Sequence, residues 1–205
     1  MLHHSTIHPH TLGLLKRLQQ LPELQETRLV GGTALALQMG HRRSIDLDLF
    51  GQIACSVEQL IDSISSIAPP VTLSESTNIH IYMIEGIKVD IVHYKYPWID
   101  SMATDEGVRM ASLKDIAAMK ITAIVGRGEK KDFADIACLL SRFSLNEILA
   151  FYKAKYQDGS AFLALKSLAY FDDAEKSPVL EMLNGQSWEE IKSEVQAALR
   201  DYNTN

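Results

Sequence analysis

Two aspartates separated by a single residue are the most chemically suggestive feature of the sequence. Asp46 and Asp48 lie in the segment SIDLDLF, in which apolar and polar residues alternate. The alternation predicts a strand over residues 44–50, with both carboxylates on one face and Ile45 and Leu47 among the buried residues of the other. Two carboxylates about 4 Å apart repel by about 4 kcal/mol at an effective dielectric constant of 20, so the pair needs compensation.

A bound divalent cation would supply that compensation. Mg²⁺ (or Mn²⁺) takes carboxylate oxygens as ligands and commonly retains water and substrate phosphates. A solvated strand face is the competing interpretation, and it is the commoner one for an Asp-x-Asp motif that stands alone. The choice between the two therefore depends on what the neighbouring segments carry.

A double glycine before the acidic strand supports the metal interpretation. Gly31 and Gly32 stand where a short predicted strand turns into a helix, and Thr33 lies in the first turn of that helix. Glycine lets backbone N–H groups approach a phosphate without an intervening Cβ, and a helix N-terminus favours an anion. These three residues are predicted to bind the phosphates of a nucleotide.

A third carboxylate is expected from a neighbouring strand. In the segment IKVDIV, residues 87–92, alternation buries Ile87 and Val89 and turns Asp90 to the other face. A glycine turn followed by three carboxylates on adjacent strands is typical of nucleotidyl transfer, with metal ions bridging the triphosphate and the attacking hydroxyl. The predicted metal ligands are therefore Asp46, Asp48 and Asp90.

The elements that must position these residues change character along the chain. Strands mix with helices up to about residue 110, whereas the remainder is predicted to be helical, with Ser112, Ser144 and Ser187 at helix N-termini. The expected fold class is α+β, with a core lobe over residues 1–110 and a helical C-terminal lobe over residues 111–205.

Composition narrows the protein class. The 205 residues are 46% hydrophobic and carry a net charge of −6, which argues against a general nucleic-acid coat protein. No apolar run approaches the roughly 20 residues of a membrane span, and no signal peptide is evident, so no membrane partner is expected. Cys55 and Cys138 are interpreted as reduced, buried thiols of a cytoplasmic protein.

Several motifs, in this order, resemble the AbiEii/AbiGii toxin family of nucleotidyltransferases, which is part of the DNA polymerase β-like superfamily. The motifs are GGTALALQ, HRRSIDLDLF, IKVDIV, SLKDIAAMKITAI and KKDFADIACLL, and together with the later LAYFDDAE stretch and Trp188 they span most of the chain. The resemblance implies a nucleotidyltransferase-type mixed sheet with flanking helices. One departure from the wider superfamily is Thr33 in place of a serine, which keeps the hydroxyl.

The resemblance also implies further site residues. Lys120 and Asp135 match the lysine and later aspartate that complete the site in such toxins, with Asp132 as a close rival of Asp135. Lys120 would neutralise triphosphate charge, so Asp46, Asp48, Lys120 and Asp135 form the predicted catalytic set. An exposed position on a helix surface is the competing interpretation of Lys120.

Three more residues complete the predicted nucleotide site. Arg42 and Arg127 are expected to hold the nucleotide or an RNA backbone. Ser44 lies two residues before Asp46 on the acidic face. It is interpreted either as a polar residue that hydrogen bonds beside the metal or as a phosphorylation site whose phosphate would repel metal and nucleotide.

The resulting functional prediction is a metal-dependent nucleotidyltransferase toxin of a toxin–antitoxin or phage-defence system. Its expected partners are an NTP, an RNA acceptor such as the 3′ end of tRNA, and a cognate antitoxin protein. The alternative from another class is a catalytically silent, nucleotide-binding regulatory module. A degraded enzyme would be expected to lose one of its catalytic residues, and all four are present.

Overall fold

The structure, a computed structural model, describes residues 1–204 and divides into two compact units. The first unit comprises residues 1–38, 44–95 and 102–111. The second comprises residues 39–43 and 96–101 and the chain from Ser112 onward. The sequence-based division after residue 110 did not anticipate that two short segments from the first half of the chain fold with the helices.

The first unit is built on one seven-stranded sheet. Its strands in chain order are β1 (Thr27–Leu29), β2 (Leu47–Gly51), β3 (Val71–Glu75), β4 (Ile79–Ile84), β5 (Ile87–His93), β6 (Ala103–Asp105) and β7 (Val108–Met110). In the sheet they are ordered β3-β4-β5-β2-β1-β7-β6. The pairs β2–β5 and β1–β7 are parallel and the others antiparallel, so the predicted mixed sheet is confirmed.

Strand β2 is shorter than its alternating sequence predicts. It begins at Leu47, and Ile45 is 74% exposed, so the predicted burial of Ile45 is wrong. The cause lies in the backbone just before the strand, where the carbonyl oxygen of Asp46 accepts a hydrogen bond from the hydroxyl of Thr33. Because a side chain bonds this carbonyl, Asp46 stays outside the ladder, and β2 starts three residues after the predicted start at residue 44.

Three helices belong to the first unit: α1 (Pro9–Leu18), α2 (Gly31–Met39, whose last residue is assigned to the second unit) and α3 (Val57–Ser65). A capping box opens α3, since the side chains of Ser56 and Gln59 accept hydrogen bonds from each other's backbone N–H groups. Helix α2 follows β1 after a single residue and ends before Gly40, whose positive φ of 74° is typical of the residue that terminates a helix.

The second unit is helical. Its helices are α4 (Leu113–Gly126), α5 (Lys130–Leu140), α6 (Leu145–Lys155), α7 (Ala161–Leu168), α8 (Asp172–Glu175) and α9 (Trp188–Thr204). Helix α4 contacts α5, α6 and α7, and α9 contacts the same three helices. The side chains of Ser112 and Ser144 cap α4 and α6 as predicted.

An ion pair explains why residues 96–101 fold with the helices. The ammonium of Lys155 lies 2.8 Å from a carboxylate oxygen of Asp115 and 2.8 Å from the carbonyl oxygen of Pro97. The same carboxylate accepts the backbone N–H of Ile99 at 2.9 Å. The segment is therefore bonded to α4 and α6 through two buried charges that satisfy each other.

Among the described residues, no helix combines the length and apolar composition required to cross a membrane.

Candidate active site

The three predicted metal ligands lie together in the first unit and are called here the acidic group: Asp46, Asp48 and Asp90. Asp48 of β2 is paired in register with Asp90 of the parallel strand β5. Asp46 precedes β2 by one residue. All three side chains are partly buried, whereas the alternate residues Leu47 and Val89 have no exposed surface. Side-chain alternation thus separates an apolar face from an acidic one, as predicted.

The glycine turn lies directly against this group. Gly31 has a φ of +69°, and a Cβ placed on it would collide with a carboxylate oxygen of Asp48. Both the left-handed backbone and the missing side chain are therefore needed at this position. The N-terminus of α2 is consequently brought next to the Asp48 carboxylate, and the first N–H groups of a helix have no partner within the helix.

Thr33 positions Asp46 through the backbone. Its buried hydroxyl bonds the carbonyl oxygen of Asp46 and lies 2.8 Å from the hydroxyl of Ser44. A carbonyl oxygen can only accept, so Thr33 donates to Asp46 and Ser44 donates to Thr33. In this arrangement the Thr33 proton fixes the chain before β2, and phosphate binding would fall to the backbone N–H groups of the turn.

Lys88 is a fourth member of this face that the sequence interpretation missed. It stands on β5 two residues before Asp90, and its ammonium lies 2.7 Å and 2.9 Å from the two carboxylate oxygens of Asp90. Partial burial opposes the charge of Lys88, but the hydrogen bond to Asp90 and the charges of Asp90, Asp46 and Asp48 outweigh it, so the pKa of Lys88 is raised. The i, i+2 spacing on one strand was the available signal.

The donor chemistry of the acidic group fits a hard divalent cation, since carboxylate oxygens are the ligands that Mg²⁺ and Mn²⁺ prefer. The spacing does not yet fit: within residues 1–204, no three His, Cys, Asp or Glu side chains converge closely enough to hold a metal. Asp90 instead directs its oxygens at Lys88. Metal binding would therefore require the Asp90 side chain to leave Lys88.

The second unit contains a buried ion cluster, composed of His41, Arg42, Lys120, Arg127, Asp132 and Asp135. Asp135 on α5 is its centre and has no exposed surface. One oxygen of Asp135 accepts from His41 Nε2 at 2.8 Å and from Arg42 Nε at 2.7 Å. The other accepts from Arg42 at 2.9 Å and from the ammonium of Lys120 at 2.6 Å. Asp135 thus has a full set of donors.

Lys120 is enclosed rather than exposed on a helix surface, so that competing interpretation is wrong. It is 5% exposed, and besides Asp135 it contacts Asp132 at 3.0 Å. Asp132 also accepts two hydrogen bonds from Arg127, at 2.9 Å and 3.1 Å. Asp132 and Asp135 are alternatives for one catalytic role in the sequence analysis. In the structure both of them pair with Lys120.

The pKa values of the cluster reflect mutual stabilisation. Burial raises the pKa of a carboxyl group, but at Asp135 the charges of Arg42 and Lys120 prevail and hold the pKa well below its ordinary value. Burial also acts to raise the pKa of Asp132, but Lys120 and Arg127 prevail and lower it. Burial likewise opposes the charge of Lys120, yet the two carboxylates raise its pKa. All of these groups stay ionised near neutral pH.

Arg42 is held by residues far along the chain. It forms an isolated antiparallel bridge with Met182, next to hydrogen bonds from Arg43 N to Glu181 O and from Leu183 N to His41 O. Arg42 is 4% exposed, and all three of its guanidinium nitrogens bond protein oxygens, two of them in Asp135. This arrangement differs from the phosphate contact expected from the basic sequence HRR. Arg127, by contrast, keeps about half of its side chain exposed.

The sequence matches the AbiEii family, nucleotidyl transferase toxins of type IV toxin–antitoxin systems, over residues 13–204. It is also 33% identical over 200 residues to an uncharacterised protein of Aquifex aeolicus, a match that covers 93% of this chain and 95% of that protein. The sequence similarity therefore extends over nearly the whole chain.

Solved structures show the same fold. JHP933 from Helicobacter pylori superposes with a TM-score of 0.59 at 17% identity, covering 97% of this chain and 95% of that one. MenT4, a nucleotidyltransferase toxin of Mycobacterium tuberculosis, gives 0.56 at 14% identity, covering 92% and 80%. The antibiotic-resistance factor ANT(2″)-Ia gives 0.56 at 13% identity, covering 71% and 90%.

The close approach of Gly31 to Asp48 is tested by Gly31→Ala, with Gly86→Ala as the matched control. Both glycines have positive φ, at 69° and 78°, but a Cβ at Gly86 would meet nothing within 4 Å. The left-handed backbone should cost each variant about 1–2 kcal/mol. Urea denaturation should show a larger loss for Gly31→Ala, because Asp48 must move as well; equal losses would contradict the close contact.

The cluster around Asp135 is tested by Asp135→Asn. The variant removes the carboxylate charge that Arg42 pairs with and leaves Lys120 with Asp132 alone, so the free energy of unfolding at pH 7 should fall by about 3–5 kcal/mol. Asp158→Asn, which neutralises an exposed acid of the same unit, should be nearly unchanged.

The pH dependence of unfolding gives a second readout. Because the folded pKa of Asp135 is depressed, its stabilisation is present above the ordinary carboxyl value and is lost as the pH falls below about 4. The Asp135→Asn variant should therefore show a shallower loss of stability between pH 5 and pH 3 than the wild-type protein. Parallel profiles would show that Asp135 is not the group that titrates.

Proposed function

Because the chain belongs to the AbiEii family of nucleotidyl transferase toxins of type IV toxin–antitoxin systems, we propose that it transfers a nucleoside monophosphate from an NTP to an acceptor RNA. The acceptor we propose is the 3′ end of tRNA. Within the first unit, residues suited to a nucleotide and to a divalent cation lie side by side, and this is the observation that supports transfer chemistry.

The contact between Gly31 and Asp48 carries the proposal. The N-terminus of α2 presents backbone N–H groups and a partial positive charge, which favour a phosphate. The carboxylate of Asp48 beside it favours a cation. Since Gly31 has no side chain, the two ligands can be adjacent, as the metal and phosphates of a bound NTP are.

Each residue of the acidic group has a role in this proposal. Asp46, Asp48 and Asp90 would hold Mg²⁺ or Mn²⁺, which when bound neutralises phosphate charge and activates the attacking hydroxyl. The hydroxyl of Thr33 keeps Asp46 in place by donating a hydrogen bond to the carbonyl oxygen of Asp46. The N–H groups of Gly31, Gly32 and Thr33 would orient the phosphates. The catalytic roles that family resemblance implies for Lys120 and Asp135 remain predictions.

A single-stranded 3′ end suits a site of this kind as the acceptor. Its terminal hydroxyl is free of base pairing, so it can reach a phosphate without the cost of opening a duplex. The net charge of −6 weakens general nucleic-acid binding and leaves local groups to guide the RNA. Nucleotides added to the 3′ end of tRNA would block aminoacylation, which accounts for toxicity.

Transfer is tested by incubating the purified protein with Mg²⁺, each labelled NTP in turn, and either total RNA or purified tRNA. We expect label from at least one NTP on tRNA, and its loss on chelation with recovery on adding Mg²⁺ or Mn²⁺. Asp48→Asn should reduce transfer by about 100-fold or more, since even outer partners of metal ligands contribute up to about 100-fold.

Asp62→Asn is the matched control for this assay, because it removes an exposed carboxylate from the same unit. It should transfer at the wild-type rate. Normal turnover by Asp48→Asn would contradict the assignment of the acidic group. Label on another RNA with none on tRNA would support the proposed reaction but show that the acceptor is not tRNA.

Growth provides an independent readout. Expression of the wild-type protein alone should arrest bacterial growth, measured as colony counts after induction, and co-expression of the cognate antitoxin should restore it. Asp46→Ala should leave growth unaffected, because the loss of a metal ligand removes transfer. Arrest that persisted with a well-expressed Asp46→Ala variant would indicate that binding alone is toxic, as for a silent nucleotide-binding module.

A further inference from the structure

Lys88 stands on the same face as the acidic group. Its ammonium donates a hydrogen bond to one oxygen of Asp90 at 2.9 Å and lies 2.7 Å from the other, and the charges of Asp46 and Asp48 also act on it. Lys88 and Asp90 are two residues apart on the same strand, so their side chains leave β5 on the same face. The contact is therefore fixed by the strand itself and does not require a distant partner.

We propose that Lys88 is a positioning residue that holds Asp90 in the metal-free protein and releases this carboxylate when a divalent cation binds. The inference rests on the proposed function in taking Asp46, Asp48 and Asp90 as the metal ligands. It concerns a different property, namely the affinity for metal before any nucleotide is present. Lys88 competes with the metal for one of its three ligands.

The charge balance supports this exchange. Lys88 supplies one positive charge to the Asp90 carboxylate at ion-pair distance, and a divalent cation would bring two. Loss of Lys88 would remove this compensation from a face that also carries Asp46 and Asp48. Lys88 therefore stabilises the ionised Asp90 while no metal is bound.

The geometry explains why a metal must displace the contact. Mg²⁺ holds its oxygen ligands at about 2.0–2.1 Å, which requires the carboxylates to converge on one point. Asp90 directs both oxygens at Lys88, and within residues 1–204 no three acidic, His or Cys side chains converge in this way. The released ammonium would remain among the phosphates of an incoming NTP, so nucleotide and metal should bind cooperatively.

The test measures Mn²⁺ affinity of the nucleotide-free protein by the electron paramagnetic resonance signal of free Mn²⁺. Lys88→Met removes the competing ammonium, so Mn²⁺ should bind about three- to fivefold more tightly, as expected from the loss of a partly exposed ion pair. The metal-free variant should also melt at a lower temperature and gain more from added Mn²⁺ than the wild-type protein gains.

Three further variants separate the possible causes. Lys88→Gln removes the charge but keeps a polar side chain, and it should tighten Mn²⁺ binding as Lys88→Met does. Lys88→Arg keeps a cation beside Asp90 and should match the wild-type affinity. Lys95→Met removes an exposed positive charge two residues beyond the same strand, and it should also match the wild-type protein.

Equal or weaker Mn²⁺ binding by both neutral Lys88 variants would overturn the proposal, as would an equal tightening in Lys95→Met. Failure of the proposed function looks different, because it appears in the transfer assay with wild-type protein. If the wild-type protein transfers nucleotides while Lys88→Met and Lys88→Gln bind Mn²⁺ with the wild-type affinity, the proposed function stands and the exchange is refuted. Absence of Mn²⁺ binding in the wild-type protein and every variant would refute the exchange, and the transfer assay would still decide the function.

Discussion

The buried carboxylate of Asp135 sets the strictest physical condition in this protein. An isolated charge removed from water costs several kcal/mol, so its partners must be held where they can bond it. Those partners come from separate stretches: Lys120 from the middle of α4, and His41 and Arg42 from the segment before β2. Helix α4 is otherwise largely apolar, and its buried Lys120 is tolerated because two aspartates of α5 pair with it. The helical unit is therefore specified by charge matching as well as by apolar packing.

The acidic group of the first unit differs from the ion cluster in its exposure and in gathering carboxylates on one face. The ion cluster combines three cationic and two anionic side chains, with every carboxylate oxygen of Asp135 in contact with a donor. In the acidic group three partly exposed carboxylates share one face, and Lys88 is paired with Asp90. Carboxylates gathered on one face suit a cationic ligand. The pKa values of Asp132 and Asp135 are lowered because both carboxylates are paired with cationic side chains.

Local patterns predicted much of this architecture, and contacts distant in sequence account for most of what they missed. The capping serines of α4 and α6 and the placement of Asp90 beside Asp48 follow from capping and alternation signals within short windows. Strands β6 and β7 have three residues each, too few for a periodic signal. Arg42 meets Asp135 across 93 residues of sequence, and no local pattern shows that a basic run will be buried. Lys88 differs from Arg42, because its partner Asp90 is only two residues away on the same strand and the pair lies within a local window.

The assignment of residues 39–43 to the helical unit means that no single cut in the chain separates the two units. A fragment beginning at Ser112 would contain Asp132, Asp135 and Lys120 but would lack His41 and Arg42, which supply three of the four donors to Asp135. Its interior would hold a carboxylate deprived of its main partners. During synthesis, the ribosome also delivers these five residues well before α4 and α5 emerge. The helical unit must therefore finish folding by recruiting a piece of chain made earlier, and its folding cannot be independent of the polypeptide that precedes it.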